Sequence, residues 1–169
     1  MGKLFGTDGI RGRANRYPMD GKTAFSVGQA VARLMNPGVG KGRIVMGRDT
    51  RLSGFMLESA LAAGVASMGG EVCLLGILPT PGVAYAARLE GACAGIMVSA
   101  SHNPYEDNGI KLFTGDGYKL SEAQEALIES RILEGNLPQE VVPAGKMGTG
   151  VQLNEAEARY AAFLSGTFP

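Results

Sequence analysis

Short apolar runs alternate along this chain with segments whose apolar residues recur at helical spacing, and few architectures bury both kinds of element at once. Val27, Ala30, Val31 and Leu34 share one helical face, and Asn36-Pro37 is expected to stop that helix. The run from Arg43 to Gly47 reads as a short buried strand. Leu57, Leu61 and Val65, four residues apart, mark a second helix that ends at Gly69-Gly70. A second strand follows from Glu71 to Gly76, and Pro79-Thr80-Pro81 leads into a short Ala-rich helix from Val83 to Leu89. Cys93 to Val98 is a third strand and Gly109 to Thr114 a fourth, after which Gly115-Asp116-Gly117 turns the chain back. Ser121 with Gln124 forms a capping box that opens a helix Gly135 can close, while Asn154 with Glu157 marks the start of another through Tyr160 and Phe163. The pattern predicts an α/β fold: a three-layer α/β/α sandwich whose mainly parallel mixed sheet is covered by helices on both faces.

Glycine supplies 26 of the 169 residues. It gathers at the joints between periodic segments, which predicts many tight turns, some of them against a ligand. The stretch NPGVGKGR from Asn36 to Arg43 precedes a strand and lacks the ending of a P-loop, so it reads as a helix-to-strand connection. Sixteen basic residues balance sixteen acidic ones. A nucleic-acid or membrane-surface binder would show a basic excess, so the expected partner is a small molecule. The opening MGKLFGTDGIRG has no signal-peptide pattern, and no apolar run approaches the roughly 20 residues that span a bilayer. A cytoplasmic location is therefore expected. Cys73 and Cys93 each lie in an apolar run, where a buried structural thiol is expected rather than a disulfide or metal ligand.

In sheets of this type ligands bind in the loops beyond the strand carboxyl ends. One such loop, within GIMVSASHNPYEDNGIK from Gly95 to Lys111, holds two serines, two asparagines and the single histidine of the chain. Ser101 is the candidate nucleophile. His102 stands beside it, but neighbours on an extended segment point in opposite directions, so spacing does not make His102 its base. A loop whose polar side chains merely satisfy turn backbone is the competing reading. A serine hydrolase would want a G-x-S-x-G elbow, and Ser101 has no flanking glycine. Phosphoryl transfer fits better, because it needs positive charge around phosphate oxygens, and basic residues occur in three polar loops: Arg11, then Arg48 and Arg51, then Lys111. Taken singly, each also reads as a solvated surface charge. The glycines around Thr7, Asp8 and Arg11 suit a backbone that approaches an anion, or an ordinary tight turn.

Four segments, FGTDGIRG, GRDTRLSG, LPTPGVAYA and VSASHNPYEDNGIK, resemble in matching order the alpha-D-phosphohexomutase superfamily. The resemblance runs through nearly the whole chain but reaches only the first of that family's four domains. The wording of FGTDGIRG, PTPGVAY and SASHNP is most like the phosphoglucosamine mutase branch; phosphomannomutases commonly carry Thr-Gly where Ser99-Ala100 stands here. What the resemblance implies is a phosphoserine at Ser101 that interconverts glucosamine 6-phosphate and glucosamine 1-phosphate, with a hexose 1,6-bisphosphate as intermediate or activator. Glucose or mannose phosphates remain as alternative substrates, and a non-catalytic phosphate-binding module as an alternative for the isolated domain. It implies Ser101, His102, Lys111 and Arg11 as catalytic residues. Thr7, Asn103 and Arg48 are expected to position substrate or phosphate. A magnesium ion, Mg2+, would be held by the Ser101 phosphate and by aspartates outside this chain, since Gly115-Asp116-Gly117 is too short for the family's metal loop. Residues 1–153 would form domain I and residues 154–169 a helix leading toward a second domain; a homodimer of the intact protein is left open.

Overall fold

In the computed structural model the alternation becomes a six-stranded sheet between two helical layers, the expected three-layer sandwich. The structure describes residues 4–35, 42–135 and 142–167. In chain order the elements are β1 (Ile10–Arg13), α1 (Gly21–Met35), β2 (Arg43–Arg48), α2 (Gly54–Ser67), β3 (Glu71–Ile77), α3 (Thr80–Leu89), β4 (Ala94–Val98), β5 (Asp107–Thr114), α4 (Glu122–Leu133), β6 (Gly150–Gln152) and α5 (Ala156–Ser165). The strands lie in the order β1-β5-β4-β2-β3-β6. β2 runs parallel to β3 and β4, and β3 parallel to β6; β5 alone is reversed, antiparallel to β4 and β1.

Side chains alternate across each strand, so β2 feeds two cores. Ile44 and Met46 pack with Val27 and Val31 of α1 and Leu57, Leu61 and Val65 of α2, while Val45 packs on the other face with Val83 and Ala87 of α3 and Tyr160 of α5. The rings of Tyr85 and Phe163 stack between α3 and α5 with centroids 4.4 Å apart. Cys73 is buried and Cys93 half-buried, both as free thiols, and burial pushes the Cys73 thiol up to about 11.

The helix ends follow local chemistry. Ser121 Oγ accepts the Gln124 N–H at 3.3 Å, and the Gln124 side chain accepts the Ser121 N–H at 2.9 Å, completing the capping box; Gly135 then takes a left-handed φ of 69° just past α4. At the end of α2, Gly69 adopts φ 85°, its N–H donates to Ala66 O and the Gly70 N–H donates to Val65 O, the pairing of a Schellman motif. The expected stop of α1 at Asn36-Pro37, and residues 36–41 of the expected connection up to Arg43, lie outside the described residues. α5 is entered from Glu155 without a side-chain cap, rather than from Asn154.

Two short strands, β1 and β6, were not foreseen from the sequence. β1 contains a single apolar residue and every residue of β6 is exposed, so neither announces itself by alternation. Glycine also has a second use. Gly28 and Gly64 lie inside α1 and α2, not at joints, and let the two helix backbones touch: a Cβ on Gly28 would collide with the Leu61 carbonyl, and one on Gly64 with the Phe25 carbonyl. Because backbone meets backbone there, neither side can yield cheaply. Gly64→Ala is expected to lose about 1–3 kcal/mol of stability. Urea unfolding should show it as a lower midpoint at unchanged m-value.

Candidate active site

β4 ends at Val98 and the chain continues through buried Ser99 and Ala100 before it reaches Ser101, which is exposed and held at a left-handed φ of 55°. A non-glycine residue in that region is uncommon and costs about 1 kcal/mol or more, so the surroundings must impose it. Ser99 does part of this, because its Oγ accepts the Ser101 N–H at 3.0 Å while its own N–H donates to Gly109 O at 2.9 Å. The loop tightens through the Asn103 N–H donating to Ala100 O and the Asp107 N–H donating to Pro104 O, and it then enters β5.

The reversal of β5 sets the register that builds the site. Met97 of β4 faces Lys111 across the hairpin, so the lysine rises beneath the loop that began one strand earlier. Lys111 is 9% exposed, and its Nζ donates to Ser101 Oγ at 2.8 Å. The same ammonium lies 2.9 Å from Asp8 Oδ2. On the other flank of β5, Arg11 pairs with Gly109 in register, and its Nη2 reaches that same Asp8 oxygen at 2.5 Å while Nη1 donates to Asn103 Oδ1 at 3.4 Å. Asn103 in turn donates from Nδ2 to Asp107 Oδ2 at 3.0 Å. Gly9 makes the approach of the Asp8 turn possible: it sits at φ 83°, and a Cβ there would run into the Ile110 carbonyl. Burial by itself would raise the Asp8 carboxyl, but the hydrogen bonds and charges of Lys111 and Arg11 outweigh it and hold the group below the ordinary aspartate value.

Arg51 is the residue whose importance the sequence understated. Its side chain is 10% exposed, and its donors are spread over the serine loop. Nε pairs with Asp49 Oδ2 at 3.0 Å, Nη1 donates to the carbonyls of Pro104 and Asp107 at 2.5 and 3.0 Å, and Nη2 donates to those of Ser101 and Asn103 at 3.0 and 2.9 Å. One guanidinium thus gathers four backbone carbonyls, including that of Ser101 itself. The clue available in the sequence was the pairing of a five-donor side chain in GRDTR with a long polar loop whose carbonyls have no strand partner.

The structure therefore brings together Ser101, Lys111, Arg11 and Asn103, and adds Asp8 and Arg51. Arg48 has another partner, since its Nε donates to Glu58 Oε2 of α2 at 2.9 Å; burial raises the Glu58 carboxyl, partly offset by that arginine. Thr7 is exposed on the turn before Asp8, where its carbonyl accepts from Lys119 Nζ at 2.8 Å. His102 is exposed next to Ser101. An open cleft of about 730 Å³ lies in front of the serine, between Ser101, Asn103 and Tyr105 on one side and Thr50, Leu52 and Thr80 on the other. Among the described residues, no group of three or more His, Cys, Asp or Glu side chains could hold a metal ion. A hydroxyl bonded to an ammonium, with a guanidinium close by and open space in front, is suited to receive and release a phosphoryl group.

Comparison with known proteins bears on this chemistry. The family model described as phosphoglucomutase/phosphomannomutase, alpha/beta/alpha domain I, matches residues 2–139. Phosphoglucosamine mutase of Syntrophobacter fumaroxidans is 55% identical over 100% of this chain, and that of Chlamydia pneumoniae 51% identical over 99%. The chain spans 38% and 36% of the lengths of those two relatives. A crystal structure of a phosphoglucomutase/phosphomannomutase family protein from Burkholderia thailandensis superposes with a TM-score of 0.80 at 29% identity, covering 98% of this chain and 36% of that one. The parafusin phosphoglucomutase of Paramecium, at 19% identity over 99% of this chain and 35% of its own, has a TM-score of 0.70 and shares the fold.

Proposed function

The chain belongs to the phosphoglucomutase/phosphomannomutase domain I family, and from that premise we propose that it is the phosphoryl-carrying part of a phosphoglucosamine mutase, with Ser101 as the carrier. The observation that supports this most directly is the 2.8 Å bond from Lys111 Nζ to Ser101 Oγ in a loop open to a cleft. In the forward step the P–Oγ bond of phosphoserine breaks as a bond forms between phosphorus and a hydroxyl oxygen of glucosamine monophosphate. The sugar hydroxyl gives up its proton, and the freed Ser101 Oγ gains one. Lys111 meets the negative charge that develops on Oγ, and Arg11 and Asn103 flank it. The resulting 1,6-bisphosphate then returns its other phosphoryl group to Ser101 by the same step in reverse. A covalent carrier in this way splits one transfer between distant oxygens into two local ones.

Magnesium, when bound, would neutralise charge on the moving phosphoryl group. The described residues do not by themselves fit that ion, because no group of three acidic, His or Cys side chains gathers among them and Asp8, the carboxylate that shares Lys111 with the serine, is already engaged by two cations. The phosphate on Ser101 would be this chain's contribution. We take residues 1–153 as domain I and 154–169 as the helix leading onward, and a cytoplasmic location. No helix among the described residues is long and apolar enough to cross a membrane.

The substrate assignment is tested by comparing kcat/KM of the intact protein for glucosamine, glucose and mannose phosphates, with activating bisphosphate and magnesium present. The hexosamine is expected to be preferred by about tenfold or more, because a site that pairs one polar substituent leaves buried groups unsatisfied when another replaces it. A faster reaction with mannose or glucose phosphate would move the protein to a sister branch and leave the phosphoserine chemistry standing.

A further inference from the structure

Lys111 divides its hydrogen bonds between two oxygens, Ser101 Oγ at 2.8 Å and Asp8 Oδ2 at 2.9 Å. The second of these also accepts from Arg11 Nη2 at 2.5 Å. A single carboxylate oxygen thus takes both cations that a phosphate on Ser101 would need. Asp8 does not saturate them, since the Arg11 Nε–H is buried without an acceptor among the described residues. Nor is Asp8 locked in place by packing: its side chain is 48% exposed, on a short turn bounded by Gly6 and Gly9.

We propose that Asp8 is a built-in counter-anion of the phosphate site, holding Lys111 and Arg11 while Ser101 is bare and competing for them once Ser101 is phosphorylated, so that its charge sets how readily the serine gives its phosphoryl group away. The proposal rests on the phosphoserine reading above. Two electrostatic effects act in the same direction. In the bare state Asp8 stabilises the site by pairing with both cations; in the phosphorylated state it faces a dianion across the ammonium they share. Both favour transfer from serine to sugar, in which the P–Oγ bond is exchanged for a bond from phosphorus to the sugar oxygen and the proton of the sugar hydroxyl ends on Oγ. Asp8 would thereby keep the phosphoserine from becoming a dead end.

The alternative is that Asp8 merely orients Lys111 and Arg11, and the two roles predict opposite signs. The intact protein, as wild type, Asp8→Asn, Asp8→Ala and Asp8→Glu, is equilibrated with glucosamine 1,6-bisphosphate and glucosamine 6-phosphate at one fixed ratio with magnesium. The phosphorylated fraction is then read by intact-protein mass spectrometry. Removing the charge in Asp8→Asn is expected to raise the ratio of phosphorylated to bare protein roughly tenfold, allowing for the partial exposure of the group. Asp8→Ala should shift the ratio the same way, and Asp8→Glu should stay near wild type. A ratio in the two neutral variants equal to or below that of wild type overturns the counter-anion role. If the wild type itself never acquires a phosphoryl group, the phosphoserine reading fails as well, and the two failures are thereby told apart.

Discussion

Ser101→Ala in the intact protein is expected to lower mutase turnover by at least about 10³-fold, because the substitution removes the atom to which the phosphoryl group is bonded between its two transfers. Stability should change by no more than about 1 kcal/mol, since Ser101 is exposed and, among the described residues, its hydroxyl bonds only a lysine that keeps Asp8 as a partner. Ser101→Gly sharpens the test. It should be as inactive as the alanine variant yet no less stable than wild type, because the φ of 55° is unstrained for glycine alone. Steady-state assays beside urea unfolding separate the two effects. Turnover within about tenfold of wild type in either variant would mean that another residue carries the phosphoryl group.

Arg51→Ala is expected to be damaging too, though about tenfold less so, by a different route. The carbonyls of Ser101, Asn103, Pro104 and Asp107 lose their shared donor together. Each charge-assisted bond contributes about 1.5–3 kcal/mol, but water can replace the donor at the exposed rim, so the loop should loosen while the two cores remain folded. Misplacing the serine by an ångström then costs about 10²-fold in kcat. KM should move less, because the Arg51 guanidinium, although it borders the cleft, spends its Nη donors on loop carbonyls. Limited proteolysis between Ser101 and Asp107 should accelerate in parallel. Arg51→Lys keeps the charge but cannot reach four carbonyls at once, and is expected to recover only part of the loss. Wild-type kcat in Arg51→Ala would show that the loop holds its shape through Ser99 and Asn103 alone.

How much of this was legible beforehand depended on whether a feature is written in side chains or in backbone. The helices and the central strands were readable because burial imposes periodicity: Leu57, Leu61 and Val65 on α2, or the apolar run into Val98. Caps were readable too, since Ser121, Gln124 and Gly135 act through their own chemistry. Ser101 at the carboxyl end of β4 followed from both. The reversal of β5 left no trace, because an apolar run such as that of Gly109 to Thr114 looks the same in either direction. β1 and β6 are strands by hydrogen bonding more than by burial, and the grip of Arg51 is on carbonyls, which every residue has. Arg48 illustrates a further limit. It stands in a polar loop word and invited a role with phosphate, but Glu58, a buried carboxylate on an otherwise apolar helix face, engages it across the β2–α2 turn. Gly28 and Gly64 were hidden for a similar reason, since the partner that requires each glycine is the backbone of another helix.

The sheet is bounded by its two shortest strands, four residues in β1 and three in β6. A sheet edge is a template on which a further strand can grow, and the hazard scales with the length of unpaired backbone it offers. Here one border is short and bears Arg11 and Arg13, and the other ends after a single turn of pleat. Association of copies through added strands is thus discouraged at the borders themselves, independently of net charge. With acidic and basic residues in balance and an isoelectric point near 6.6, net charge offers this chain little colloidal protection around neutral pH. Its clipped borders supply the protection that charge does not.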